Sequence, residues 1–404
     1  MTRQASLFLQ EKSAYPKVEP RCRYFGTCGG CALQDLGYED QLALKRDRLR
    51  RLLSPLGDFS AVDIVGLEDP WRYRNKAELT FSEVDGQLVL GYHASRSFWR
   101  VIDLEDCLLM PQSAMQLARD VRALAAETGL PAYHPKTHKG FFRYLLVRHS
   151  RSTGQLLLCL MTTPGHREVV ERIAAELRRR HAQLVSVYWG VTSRVADIAI
   201  PEELTLLAGA EDFEDRLGPF QLRLHPLSFL QPTAVQAERM YEKLAQSLLK
   251  VSARGTAWDL YCGLGVIALY LARHFEKVYA IDVESHHMER ARVNAALNGI
   301  DRIEFRAGQV EVLLKDRRFW CQEAKPDVVV VDPPRVGLHA DALASIIAAR
   351  PSHVAYFSCN PQSLARDLAL LGTGFPRYRP IEAQAFDMFP QTAHLETFVF
   401  LARQ

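Results

Sequence analysis

The feature that most limits the fold lies between residues 256 and 371. There, short apolar runs alternate with amphipathic stretches: TAWDLYCGLGVIALYLARHF, KVYAIDVESHHMERARVNAALNG, IEFRAGQVEVLL, PDVVVVDPPRVG and HVAYFSCNPQSLARDLALL. A run such as VVVV has no polar side to offer solvent, so it suits a strand covered above and below by helices. Strand–helix repetition of this kind specifies a mostly parallel α/β sheet. Ligands of such sheets bind beyond the carboxyl ends of the strands. The residues that end each run are therefore the ones to read for chemistry.

The first run ends in DLYCGLG. Asp259 and Tyr261 close the strand, and Gly263 and Gly265 open a turn that lets the backbone approach a nucleoside. The next run ends at Asp282 in AIDVES, where a carboxylate can accept hydrogen bonds from ribose hydroxyls. No third glycine follows in the G-x-G-x-x-G position, so the pyrophosphate pattern is missing. S-adenosylmethionine, a sulfonium nucleoside without phosphate, fits better than a dinucleotide. FRAGQVE brings Gln309 to the same edge as a candidate adenine contact, and VVVVDPPRVG delivers Asp332. Read alone, Asp-Pro-Pro also suits a methylase that holds an amino nitrogen.

The last of these runs stops at Cys359, and Pro361 fits the first turn of a helix over 363–371. A cysteine there reads either as a buried structural thiol or as a nucleophile, whose reactivity follows its thiolate fraction. Two further groups converge on this edge. Gln231 lies in FLQPT, and Glu396 opens an otherwise apolar last strand in DMFPQTAHLETFVF. A carboxylate in that setting needs a partner or a job. Together, a thiol and a carboxylate suit one reaction especially well. Addition of the thiolate to C6 of uracil makes C5 an enolate carbon that can take a methyl group. A base then removes the C5 proton and the cysteine leaves.

The rest of the 404-residue chain bounds the setting. No run approaches eighteen apolar residues, so no membrane span is expected. The charged start, MTRQASLFLQEKSAYPKVEP, lacks a signal-peptide core and reads as cytoplasmic. Fifty basic against forty-seven acidic residues leave +3, so bulk charge does not demand a nucleic-acid partner. Local patches still can. The helical stretch 38–53 carries Lys45, Arg46, Arg48, Arg50 and Arg51, either as a solvated face or as a phosphate-contacting one. In WRYRNKAELTF, Arg72, Arg74 and Lys76 share one side of an extended chain, a candidate RNA surface. Residues 66–218 mix short strands and helices without the later rhythm and read as a separate α+β domain. This divides the chain into 1–65, 66–218 and 219–404.

Among eight cysteines, Cys22, Cys28 and Cys31 crowd into CRYFGTCGGCALQ, and Cys107 is the nearest later partner. Four thiolates can hold a [4Fe–4S] cluster or tetrahedral zinc. The spacing leaves both open, along with unligated cysteines.

Taken together, SCNPQSLARDL, DMFPQTAHLET, DLYCGLG, AIDVES, VVDPPRVG and FLQPT resemble the motifs of the bacterial RNA (uracil-5-)-methyltransferases. The likeness runs from about Cys22 to the C-terminus. It implies a Rossmann-like S-adenosylmethionine-dependent methyltransferase domain at the C-terminus, a central α+β RNA-binding domain and an N-terminal cysteine-cluster segment. It makes Cys359 the nucleophile and Glu396 the general base, and sets Gln231 and Asp332 between cofactor and uracil. CRYFGTCGGCALQ with Cys107 resembles the [4Fe–4S] ligand set of the ribosomal-RNA members, where the metal centre would be structural or RNA-positioning. The implied substrate is a uridine of 23S rRNA or of a ribosomal assembly intermediate, with the tRNA T-loop uridine as alternative, and a monomer is expected. Three departures stand out. Residues 1–21 are too short for the N-terminal TRAM barrel of many relatives, Thr233 stands where Asn is common, and Gln309 stands where an acidic residue is common.

Overall fold

A computed structural model describes residues 10–97, 99–195, 198–252, 254–316, 318 and 324–404; Cys321 lies outside them. Of the elements named here, the first are α1 (Tyr38–Leu53) and a two-residue strand, β1 (Ile64–Val65). Next come β2 (Lys76–Val84), β3 (Gln87–His93), β4 (Val101–Asp103), α2 (Gln112–Ala126), β5 (Phe142–His149) and β6 (Leu156–Thr162). They are followed by α3 (Arg167–Arg180), β7 (Leu184–Val191), β8 (Glu203–Gly209) and a hairpin of β9 (Phe213–Leu217) and β10 (Phe220–Leu224). After α4 (Ala234–Leu248) the rhythm turns regular: β11 (Thr256–Leu260), α5 (Val266–Leu271), β12 (Lys277–Asp282), α6 (Ser285–Leu297) and β13 (Ile303–Ala307). It continues through α7 (Val310–Leu313), β14 (Val328–Val331), α8 (Ala340–Ala349), β15 (His353–Ser358) and α9 (Pro361–Thr373), and closes with β16 (Tyr378–Phe386) and β17 (Glu396–Arg403).

Two sheets result. The seven-stranded one has the order β4-β3-β2-β5-β6-β7-β8. Leu79, Phe81, Leu145, Val147, Leu158 and Leu160 on one face pack with Leu117, Val121, Ile173 and Leu177 of α2 and α3. The alternate residues Leu146, Leu157, Cys159, Met161 and Tyr188 face the other way, into a core shared with β9, β10 and α4. That period-two split is what docks this sheet onto the second unit.

The eight-stranded sheet has the order β1-β16-β17-β15-β14-β11-β12-β13. Its strands β11 to β15 pair in parallel, as the continuous apolar runs require, and β17 runs antiparallel to β15. Val328 and Val330 join one core and Val329 and Val331 the other, all with no exposed surface. Burying such a side chain fully is worth about 1.5–3 kcal/mol. This is the Rossmann-like architecture expected of the C-terminal part.

Residues 38–65 pack against this same sheet, not in a separate N-terminal unit. Leu49, Leu53, Phe59, Val62 and Ile64 enter one of its cores, and β1 extends it by pairing with β16. Lys45 forms a buried ion pair with Asp387 at 2.6 Å, and the Tyr38 hydroxyl donates to the other carboxylate oxygen at 3.0 Å. Removing one partner of such a pair costs about 3–5 kcal/mol, so α1 is firmly fixed.

The expected cysteine-cluster segment is corrected. Among the described residues no group of three or more His, Cys, Asp or Glu side chains is arranged to hold a metal ion. Cys22, Cys28, Cys31 and Cys107 are free thiols that line one cavity together with Tyr24, Phe25, Tyr92 and Leu104. The space they line is about 20 Å³. Burial pushes the Cys28 and Cys107 thiols up and takes Cys31 to about 12. Neither [4Fe–4S] nor zinc is supported. Among the described residues, no helix is long and apolar enough to cross a membrane.

Candidate active site

The carboxyl ends of β11, β12, β14 and β15 meet at one edge of the eight-stranded sheet. Leu260 pairs with both Ile281 and Val331, and Val331 with Tyr356, so Tyr261, Asp282, Asp332 and the turn after Ser358 emerge side by side. Because β17 runs the other way, its first residue, Glu396, comes to that same edge. The ladder ends where Ser358 pairs with Thr397, so Cys359 and Glu396 each adjoin that last pair, and the charge of Glu396 acts on the thiol. Both open onto a cleft of about 900 Å³ that Gln231, Tyr261, Gly263, Asp282, Gln309 and Asp332 also line.

The reacting end of this cleft concentrates acidic groups. Burial raises Asp332 to about 7, against a long hydrogen bond of 3.5 Å from Gln231 Nε2. Burial and then the charge of Asp332 hold Glu396, which is 2 % exposed, well above the usual carboxylate range, and Arg335 opposes them. Cys359 is pushed up to about 11 by burial, then by Glu396 and Asp332, with Arg335 again opposing. Ionising any one of these groups therefore disfavours ionising the others. Arg335 also donates to His394 Nδ1 at 2.7 Å. Burial, followed by Arg335, takes that imidazole down to about 4, so it stays neutral with its proton on Nε2.

The other end is built around Asp282. Burial would raise its carboxyl, yet His287 and the backbone N–H groups of Glu284 and Gly263 hold it below its ordinary value. Gly263 donates at 2.9 Å and Glu284 at 3.0 Å. A carboxylate has about four acceptor positions, so capacity remains for ribose hydroxyls. The walls there include Leu264, Ile267, Val283 and Val310, apolar surface that an adenosine ring can cover. The residues present thus fit S-adenosylmethionine.

Two of the residues named from the glycine motif lie beneath this surface. Asp259 has no exposed area, and burial keeps its carboxyl well above the normal range. Gly265 adopts φ +75, and a Cβ there would meet Phe305 at 2.9 Å, so this glycine serves the turn and its packing.

The basic segment divides in a way alternation does not foresee. Arg72 sits at φ +52 before β2 begins, and its guanidinium is occupied by Asp106 and by the carbonyls of Cys107 and Met110. It is not among the residues that line the cleft. Arg74 and Lys76 do line the cleft; Lys76 is ion-paired with Glu78 at 2.6 Å. Between them Asn75 donates to the Gln231 carbonyl at 2.7 Å, and Tyr73 to that of Pro390 at 2.9 Å, which clamps the first sheet to the cleft. Thr233, the departure noted in FLQPT, donates its hydroxyl to Met388 O at 2.6 Å.

Several cleft residues carried no sequence signal of their own. Arg335 was visible beside Asp332 in VVDPPRVG, but His287, Glu311 and His394 sit where no periodicity marks them. Phe229 lines the cleft while 55 % exposed, and a large aromatic left in the open at a cavity mouth marks a binding surface.

Residues 166–404 match the family described as tRNA (Uracil-5-)-methyltransferase. An uncharacterized RNA methyltransferase of Halalkalibacterium halodurans is 32 % identical over 392 residues, covering 95 % of this chain and 83 % of that one. One from Bacillus cereus is 33 % identical over 398 residues, covering 98 % and 85 %. The solved Pyrococcus abyssi tRNA (uracil-54, C5)-methyltransferase, in complex with S-adenosyl-L-homocysteine, superposes with a TM-score of 0.77 at 27 % identity, over 96 % of this chain and 86 % of that one. The expected kinship with iron–sulfur 23S rRNA enzymes is corrected on two counts. The family description and the solved relative both name tRNA, and the described cysteines build no metal-holding group. The chain belongs to the tRNA (uracil-5-)-methyltransferase family and is an S-adenosylmethionine-dependent RNA (uracil-5-)-methyltransferase.

Proposed function

We propose that this protein methylates C5 of a uridine in tRNA, with Cys359 as nucleophile and Glu396 as general base. The observation that carries the reading is the register of β15 and β17, whose last pair, Ser358–Thr397, leads Cys359 and Glu396 into the same cleft. The name of the matching family and that of the Pyrococcus abyssi enzyme, which acts on uracil-54 of tRNA, favour tRNA over 23S rRNA.

The target uridine leaves its stack to enter the cleft, as base-modifying enzymes require. Cys359, as thiolate, bonds to C6, and the C5–C6 π electrons move into an enolate over C5, C4 and O4. Gln231 and Asp332 hold the uracil edge; a carboxyl that keeps its proton up to about pH 7 can donate to O4 as charge develops there. Asp282, the Gly263 turn and Gln309 would hold S-adenosylmethionine, which would supply an electrophilic methyl group: the enolate electrons at C5 form the C5–CH3 bond as the S–CH3 bond breaks and its electron pair leaves on the sulfur of S-adenosylhomocysteine. C5 then carries both the methyl and its original hydrogen. Glu396 in its carboxylate form takes that proton, the C–H electrons re-form the C5–C6 double bond, and the C6–S bond breaks to return the thiolate to Cys359. Arg74 and Lys76 serve the RNA backbone at the rim.

The test is transfer of labelled methyl to tRNA and, separately, to 23S rRNA transcripts, followed by nucleoside mass analysis. Wild type yields 5-methyluridine in tRNA and Cys359→Ala yields none. Methylation confined to 23S rRNA, or a methyl on nitrogen, overturns the reading.

A further inference from the structure

Cys359 faces more than the cofactor cleft. A second cavity, of about 290 Å³, lies between α1 and the loops that follow β15 and precede β17. Leu44, Leu49 and Leu52 of α1 give it an apolar wall opposite Pro361 and Leu395, while Arg48, Arg335, Asn360 and Gln362 bring positive charge and amides. No carboxylate is among its lining residues. Arg335, Cys359 and His394 line both spaces, so the hydrogen-bonded Arg335–His394 pair stands as the partition between them. Lys45 is already committed to Asp387, and Arg48 also faces Glu11 at 4.0 Å.

A wall that is apolar on one side and cationic on the other suits a ligand with a flat ring and an anionic tail. The volume sits at the small end of ligand sites, which run from about 300 to 1,000 Å³, so a single nucleotide is a better match than a cofactor. A uridine drawn into the cleft stays tethered by its phosphodiesters, and its neighbour must lie one backbone link away. The second cavity opens at the nucleophile itself, which is where such a strand would continue.

We infer that this cavity holds the nucleotide next to the target uridine in the same RNA strand, its base against Leu44, Leu52 and Pro361 and its phosphate toward Arg48 and Arg335. The inference rests on the RNA-methylating function proposed above. It gives α1, docked on the catalytic sheet, a direct part in gripping substrate.

The test uses the full chain and a T-arm RNA hairpin containing the target uridine. Leu52→Trp fills the cavity, and Arg48→Glu reverses the charge at its rim. Each is expected to weaken hairpin affinity by tenfold or more while leaving S-adenosylmethionine affinity, read by calorimetry, unchanged. Arg48→Ala should lower the slope of log affinity against log salt by about one. A photoactivatable 4-thiouridine beside the target should cross-link to residues 44–52 or 360–362. Affinity within twofold of wild type in both variants overturns the inference, as does cross-linking confined to residues 72–82. Should Leu52→Trp fail to fold, Arg48→Glu and the cross-link decide. A hairpin that binds but is not methylated by wild type counts against the tRNA reading alone. A methylated hairpin whose affinity ignores both substitutions counts against the cavity alone.

Discussion

The two halves of the cleft treat their carboxylates in opposite ways. Asp282 is largely buried, yet two backbone N–H groups and His287 keep it below its usual value. Asp332 and Glu396, a few residues away along the same sheet edge, have one long contact from Gln231 and the opposing charge of Arg335, and both are pushed upward. Burial alone thus does not set the outcome. The number of donors aimed at the carboxylate does. One half presents a fixed negative acceptor for a cofactor; the other stores protons beside a thiol that must lose one.

The largest effect that would sharpen this contrast is expected at Glu396. Glu396→Gln should slow turnover about 10²–10⁴-fold, the range of a lost general base. Because the C5 proton then stays in place, the Cys359–RNA adduct should accumulate and survive on a denaturing gel. Ordinary turnover without adduct would break the comparison on the reacting side.

Asp282→Asn comes next. It removes charge-assisted acceptance worth about 1.5–3 kcal/mol, so affinity for S-adenosylmethionine should fall about 10- to 100-fold by calorimetry. RNA affinity should not move. An equal loss of both would mean that the two halves are not separable.

The smallest effect concerns proton sharing and is read by alkylation of Cys359. At about pH 8, above Asp332's own value of about 7, that carboxylate is charged and favours the neutral thiol. Asp332→Asn should therefore lower the thiol's pKa and speed alkylation several-fold, whereas Arg335→Met, which removes the opposing positive charge, should slow it. Alkylation rates that ignore both substitutions would remove the electrostatic link.

Much of the catalytic edge was legible because it depends on strand order and polarity, which apolar runs such as VVVV encode directly. Cys359, Asp332 and Glu396 end or begin such runs, and sheet register brings them together. What was hidden depends on contacts without periodicity. The contacts that dock α1 include a buried ion pair, Lys45–Asp387, between residues more than three hundred positions apart in sequence, and the segment after it adds a two-residue strand too short to show alternation. Arg72, Arg74 and Lys76 were read as one face of a strand, but β2 starts only at Lys76 and the backbone turns at Arg72. The four cysteines were grouped from spacing and from likeness to a ligand set. Their surroundings, which include Tyr24, Phe25 and Tyr92, are a tertiary property that spacing does not carry.

The proposed reaction requires a covalent bond between Cys359 and uracil. RNA carrying 5-fluorouridine at the target position tests it directly, since fluorine cannot be removed as a proton is and the adduct has no exit. With S-adenosylmethionine present, wild type should form a stable complex in which mass mapping places a methylated fluorouracil on the peptide containing Cys359. Normal methylation of ordinary RNA with no such complex, or attachment at Cys262 or another thiol, would contradict it.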